Sequence, residues 1–132
     1  MSSASESRRS WRADFTWPLL AAARRLLGRL ALPTEAFEVD WDADPDAALP
    51  AASAALRKVD GGDGVLMLVD LYGASPARVA AKLARLGTPA RRVSGLSLPM
   101  LLRAQNYPEQ DLDELARTAA AGGRNAVVVD DA

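Results

Sequence analysis

The stretch from Asp70 to Pro76 carries the residue types best suited to holding a phosphate group. Asp70 closes an apolar run, and Gly73 allows the backbone after it to approach a ligand. Ser75 begins a pattern typical of a helix start, where exposed N–H groups and the positive end of the helix dipole favour an anion. We therefore predict a phosphate-binding turn here. The simpler alternative is a plain turn with a capping serine, because the Gly-Lys-Ser/Thr of a phosphate loop is absent.

A second turn, within Val93 to Leu102, is expected to border the same cleft. Gly95 and Ser97 lie between a weak strand pattern and a short helix pattern. Ligands of parallel α/β sheets bind at the carboxyl ends of the strands, so this turn and the one after Asp70 should meet. The alternative is that the apolar residues of this stretch only fill the core.

Several other kinds of chemistry are not predicted. The chain has no cysteine and no histidine, so disulfides, thiolate sites and a phosphohistidine are excluded for this sequence. The aspartates at positions 40, 42, 44 and 46 resemble a calcium loop only loosely, because the glycine and glutamate that such a loop needs are missing. We interpret them as a solvated turn and predict no metal or organic cofactor.

Composition predicts one ordinary soluble domain. The chain has 132 residues, of which 49% are hydrophobic and 25% charged. The net charge of −1 does not favour nucleic acid or an anionic membrane as a partner. No apolar run approaches the roughly 18 residues of a membrane span. We therefore expect a cytoplasmic protein without membrane insertion.

Helix and strand patterns alternate along the chain and would position the two turns. Helices are predicted at Pro18 to Leu30, Pro45 to Asp60 with Asp44 as cap, Ser75 to Gly87, Pro99 to Asn106, and from a cap at Asp111 to a stop at Gly122 and Gly123. Strands are predicted at Trp11 to Trp17, Ala36 to Trp41, Val65 to Val69, Arg91 to Ser94 and Ala126 to Val129. Val65 to Val69 is apolar throughout, which is typical of a parallel strand covered on both faces. The pattern predicts an α/β domain with a mostly parallel sheet flanked by helices.

Two of these stretches resemble the signatures of one protein family. Val65 to Pro76, Val-Leu-Met-Leu-Val-Asp-Leu-Tyr-Gly-Ala-Ser-Pro, is similar to the signature of the mannose-family IIA domains of the bacterial sugar phosphotransferase system. Gly95 to Leu102 resembles the second signature of that family, Gly-Val-Asn-Leu-Pro-Met-Leu. The resemblance covers about Leu19 to Val128 and implies a doubly wound fold. It implies a IIA domain over residues 18–132, with residues 1–17 disordered or aberrant.

The resemblance also implies a function. Members relay a phosphoryl group on a histidine from a histidine-containing carrier protein to a IIB component, and they usually form dimers. Asp70 matches the aspartate that orients that histidine, and Gly73, Ala74 and Ser75 match the turn that supports the phosphate, one glycine short. Gly95 and Ser97 would border the cleft. The implied location is the cytoplasm, free or peripheral to a membrane transport complex.

The N-terminus departs from the family pattern. The expected first strand ends in Thr-His-Gly, whereas Met1 to Trp17 stands in its place. If Trp11 to Trp17 were that strand, Arg12 and Asp14 would be buried, at several kcal/mol each unless paired. The stretch Arg8 to Trp11 can be encoded as cgt-cgg-tca-tgg, which gives Val-Gly-His-Gly when translated one base later.

Three hypotheses stay open on these residues. The chain is by descent a IIA component that lacks its phospho-accepting histidine and is retained as a regulatory binding module, or it is a phosphocarrier with a frameshifted N-terminus. The third makes Asp70 itself the phosphate acceptor, as in receiver domains. That reading needs an acidic pair at the first strand and a lysine opposite, and the sequence places neither.

Overall fold

The computed structural model describes residues 18–39, 44–70 and 75–130 of the chain. Five helices lie in this part: α1 over residues 18–27, α2 (Pro45–Val59), α3 (Ser75–Leu83), α4 (Leu98–Gln105) and α5 (Leu112–Asn125). They accompany two strands, β1 (Val65–Val69) and β2 (Ala90–Ser94). The predicted strand at Trp11 to Trp17 lies outside the described residues.

The two strands pair in parallel, with Val65 opposite Ala90 and Val69 opposite Ser94. Helix α3 lies between them in the chain and forms the crossover that a parallel pair requires. This arrangement confirms the predicted α/β class, with helices flanking a parallel sheet.

Apolar clusters cover both faces of the sheet, because successive side chains of a strand point to opposite sides. On one face Val65 and Met67 pack in the α2–α3 cluster, which also contains Ala52, Leu56, Val79 and Leu83. On the other face Leu66 and Leu68 pack in the α4–α5 cluster, which contains Met100, Ala104, Leu115 and Ala119. The unbroken apolar run of β1 thus finds contacts on both sides, as predicted.

Two helices begin at the predicted capping residues. Asp44 Oδ1 accepts a hydrogen bond from the Asp46 N–H at 3.0 Å, and Asp111 Oδ1 accepts one from the Glu114 N–H at 2.8 Å. Each bond satisfies an N–H group that the first turn of a helix leaves without an internal partner. The starts of α2 and α5 are therefore confirmed.

The ends of three helices differ from the prediction. Helix α1 ends at residue 27 instead of Leu30, because Gly28 takes a left-handed φ of 74°. Helix α3 ends at Leu83 instead of Gly87. Helix α5 runs through Gly122 and Gly123 to Asn125, since neither glycine adopts the positive φ that ends a helix.

Two predicted strands are wrong for the residues that the structure describes. Residues 36–39 are irregular, and Val39 packs against the α2–α3 cluster. Ala126 to Val129 is also irregular, and the Val127 N–H donates to the Arg124 carbonyl at 3.3 Å in a turn. Alternating or β-branched residues favour a strand, but a strand forms only where a neighbouring backbone supplies hydrogen bonds.

Candidate functional site

The carboxyl ends of β1 and β2 lie side by side and carry the two predicted turns. The Leu96 N–H donates to the Val69 carbonyl at 3.0 Å, which ties the second turn to the residue just before Asp70. Gly95 makes this possible, because its φ of 91° turns the chain back toward β1 directly after β2. The structure therefore brings Asp70, Gly95 and Ser97 to one edge of the sheet.

Asp70 is exposed at the end of β1, so its carboxylate can meet a ligand without prior loss of core packing. A carboxylate accepts hydrogen bonds only, which suits an N–H group such as that of an imidazole. This position is compatible with the orienting role that the family resemblance implies.

The predicted phosphate-binding turn falls largely outside the described residues. Gly73 and Ala74 belong to the segment 71–74, which the structure does not describe, and so their role stays a prediction. Ser75 is the first residue of α3, so a helix N-terminus follows Asp70 closely in the chain.

Ser97 is half-buried and caps α4. Its Oγ accepts a hydrogen bond from the Met100 N–H at 3.3 Å, and its carbonyl accepts one from the Leu101 N–H at 3.1 Å. A hydroxyl that accepts in a cap still has its own proton to donate. Ser97 can therefore hold the helix start and offer one hydrogen bond to a ligand in the cleft.

Helices α4 and α5 pack closely next to the Ser97 cap. The sequence patterns do not predict this contact. A Cβ built on Gly123 would lie 2.9 Å from Met100 Cε and 3.8 Å from Ser97 Oγ, and one built on Gly122 would lie 2.6 Å from Arg103 Cβ. The two adjacent glycines predict a helix stop, whereas the structure places both of them inside α5. These glycines let α5 approach α4 at the edge where the cleft lies.

The perturbed charges lie at the other edge of the sheet. Arg91 Nε donates to Asp113 Oδ1 at 2.7 Å, and this bond lowers the pKa of Asp113 and raises that of Arg91. A hydrogen bond with Asp111, together with its charge, raises the pKa of Glu114. The three carboxylates lie at the start of α5 and Arg91 lies on β2. A Cβ built on Gly64, just before the amino end of β1, would lie 2.8 Å from Leu112 Cδ2, so the start of α5 is close to that end of the sheet. The shifts therefore report on the start of α5 and not on the cleft.

Within the part of the chain that the structure describes, no group of three or more acidic, cysteine or histidine side chains could hold a metal ion. None of the helices described there combines the length and the apolar character needed to cross a membrane.

Comparison with known proteins adds two findings. The sequence model of the family described as "PTS system fructose IIA component" (EIIA-man) matches residues 14–120. The protein named "Putative phosphotransferase enzyme IIA component YadI", from Escherichia coli (strain K12), is 40% identical over 47 residues. That match covers 36% of this chain and 32% of the relative, so the chain is aligned with about a third of the relative's length.

Proposed function

The chain belongs to the EIIA-man family of phosphotransferase-system IIA components, and we propose that it is a docking module of a sugar phosphotransferase system. Its cleft at the ends of β1 and β2 would receive a histidine-containing carrier protein or a IIB component. It would act in the cytoplasm, free or at the periphery of a membrane transport complex, in sugar uptake or its regulation. The family match over residues 14–120 is the observation that carries this proposal.

Binding without phosphoryl transfer is proposed because the sequence has no histidine. In the family an imidazole nitrogen is the nucleophile, and no other side chain of this chain replaces it in kind. Asp70, which would orient that imidazole, is kept at the end of β1 and is exposed. A carboxylate at this place can accept a hydrogen bond from the histidine of a docked partner instead.

The cleft also offers the partner a donor. Ser97 has a hydroxyl proton to give, and the Leu96–Val69 hydrogen bond holds its turn beside Asp70. An acceptor and a donor on one rigid edge suit the polar face of a histidine and its phosphate. Residues 18–132 would form this IIA domain, and Gly73, Ala74 and Ser75 would support the phosphate, as the family resemblance implies.

Binding measurements on purified protein test the docking proposal. We expect the chain to bind the carrier protein or the IIB component of its own organism in titration calorimetry. Asp70→Asn should weaken that binding about tenfold, or about 1.4 kcal/mol, since the orienting charge is lost. Asp63→Asn is the matched control, because Asp63 is also exposed but precedes the amino end of β1.

Two results would overturn the proposal. Absence of binding to both partners would remove the docking function. Equal losses in the Asp63 and Asp70 variants would show that only overall charge matters and that the cleft is misplaced.

The resemblance also implies a homodimer, and the segment after α5 supports that proposal. Val127, Val128 and Val129 are 79%, 74% and 88% exposed. Single exposed apolar residues are common, but three consecutive β-branched ones present a surface that favours burial against another molecule. We propose that a second copy of the chain covers them.

A working phosphocarrier with a misread N-terminus is the second candidate. It is favoured by the family match, which begins only at residue 14, and by the histidine that a one-base shift restores in the possible codons of Arg8 to Trp11. Resequencing the DNA from the start codon through Leu20 decides between the two. An inserted or deleted base that restores an apolar strand ending in histidine would make the protein a carrier, and an unchanged frame would leave the docking module.

A further inference from the structure

Gln105, the last residue of α4, is buried and joined by hydrogen bonds to a segment far away in the chain. It is 5% exposed. Its Oε1 accepts from the Leu32 N–H at 2.8 Å, and its Nε2 donates to Thr34 Oγ1 at 2.7 Å and lies 3.5 Å from the Leu32 carbonyl oxygen. Thr34 Oγ1 in turn donates to that carbonyl at 2.9 Å. One side-chain amide therefore satisfies both backbone groups of Leu32, directly or through Thr34.

The segment held in this way, residues 30–39, has neither helix nor strand and crosses from one face of the sheet to the other. Leu32 packs against the α4–α5 cluster, whereas Val39 packs against the α2–α3 cluster. The ion pair of Lys58 with Glu35 in this segment spans 3.8 Å between exposed side chains, and such pairs contribute little. Among the residues that the structure describes, the hydrogen bonds between this segment and α4 are those of Gln105.

We propose that Gln105 is a latch that holds residues 30–39 against α4, and that its release opens this segment without opening the sheet. A glutamine suits this task, since its amide supplies an acceptor and a donor at once. Without it, the half-buried Leu32 N–H would lose its partner, and a segment that lacks regular structure can open to give that group a hydrogen bond to water.

Opening would stay local because other contacts hold the rest of the fold. The β1–β2 ladder and the close approach of α5 to α4 do not involve residues 30–34. The latch also lies at the end of α4 opposite to Ser97, so the cleft is not part of it. If partners do not bind at the cleft, the latch proposal is therefore unaffected. If the latch proposal fails, the docking proposal is likewise unaffected.

Amide hydrogen exchange on the full chain, followed by mass spectrometry, tests the latch. Gln105→Leu keeps the size and removes every hydrogen bond, and it should speed exchange in residues 30–39 at least tenfold. Thr34→Val removes one hydroxyl and should have a smaller effect in the same direction. Gln110→Leu is the matched control, because Gln110 also accepts a side-chain hydrogen bond, from Thr118 at 2.8 Å, but within its own neighbourhood. It should leave residues 30–39 unchanged.

The proposal fails if exchange in residues 30–39 is unchanged in both the Gln105 and the Thr34 variants. It also fails if exchange accelerates equally in every part of the chain, since Gln105 would then only add to global stability. If Gln105→Leu does not fold, the Thr34 variant decides by the same two criteria.

Discussion

Single glycines set the distance between the two helices that line one face of the sheet. Any side chain at Gly122 would collide with the Cβ of Arg103, which cannot move unless the backbone of α4 moves. At Gly123 the collision would be with Met100 Cε, the far end of a flexible side chain. The two neighbours in one helix therefore differ in what they tolerate.

We predict that alanine lowers the free energy of unfolding at Gly122 but not at Gly123. At Gly122 the overpacking cost of about 1–3 kcal/mol should exceed the gain of about 1 kcal/mol in helix propensity, so the free energy of unfolding falls. At Gly123 Met100 can shift, so unfolding free energy should stay level or rise. Urea denaturation of both variants measures this. Equal losses at both positions would show that the helices are not in contact as described.

The sequence predicts a helix stop at these two glycines, but both lie inside α5. A glycine ends a helix when it adopts a positive φ, and it lies inside a helix when another backbone comes close. Nothing in the local sequence distinguishes the two cases, since the second depends on α4, which is distant in the chain from Gly122. Asp111 was predicted correctly because its capping partner, Glu114, is only three residues away.

The start of α5 combines the Asp111 cap with the Arg91–Asp113 ion pair, which joins the helix to β2. The hydrogen bond from Arg91 lowers the pKa of Asp113, so the folded state favours the ionised carboxylate. The ionised Asp113 therefore stabilises the fold at pH values above the pKa that this carboxyl has in the unfolded chain. This stabilisation is lost as pH falls through the pKa of Asp113 in the folded protein. The raised pKa of Glu114 has the opposite sign, so ionisation of Glu114 disfavours folding.

We predict that two variants reveal these opposite signs. Asp113→Asn should lower the melting temperature at about pH 7, and its difference from the parent protein should vanish toward about pH 2. Glu114→Gln should raise the melting temperature slightly at about pH 7 and lose this advantage on acidification. Both effects are expected to be small, because the groups are exposed. Melting curves across this pH range check them, and parallel pH profiles for both variants would contradict the assignment.

The elements also show how far the sequence predicts the candidate site. The apolar run of β1 and the following Asp70 specified a covered strand that ends in a carboxylate, and parallel topology then placed Gly95 and Ser97 beside it. The strand predicted at Ala36 to Trp41 is wrong for the described residues 36–39, because alternation alone does not show whether a neighbouring backbone supplies hydrogen bonds. The roles of Asp70, Gly95 and Ser97 in binding remain predictions that the titrations must decide.

The whole molecule combines membership of a IIA family with a sequence that has no histidine. Without that nucleophile, the described part of the chain still has the parallel pair of β1 and β2, Asp70 at the end of β1 and the turn of Gly95 and Ser97 beside it. The exposed valines after α5 bear on the proposed homodimer, since a run of exposed apolar residues favours contact with another molecule.

We predict that Val128→Asp weakens self-association. A charge in an apolar contact is costly to bury, so the dissociation constant should rise at least tenfold. Light scattering coupled to size-exclusion chromatography measures the molar mass of parent and variant. Ala54→Asp, which adds the same charge on the exposed side of α2, should leave the mass unchanged. A monomeric parent protein would end the homodimer proposal.

The parallel pairing of the two strands has a kinetic consequence. Val65 pairs with Ala90, twenty-five positions further along the chain, so the ladder closes only after the intervening helix has brought both strands together. Non-local pairing of this kind slows folding, and it leaves the run Val-Leu-Met-Leu-Val without its partner strand in the meantime. Such a run is prone to pair with other chains. The strand that anchors the candidate site is therefore also the segment at which aggregation competes most directly with folding.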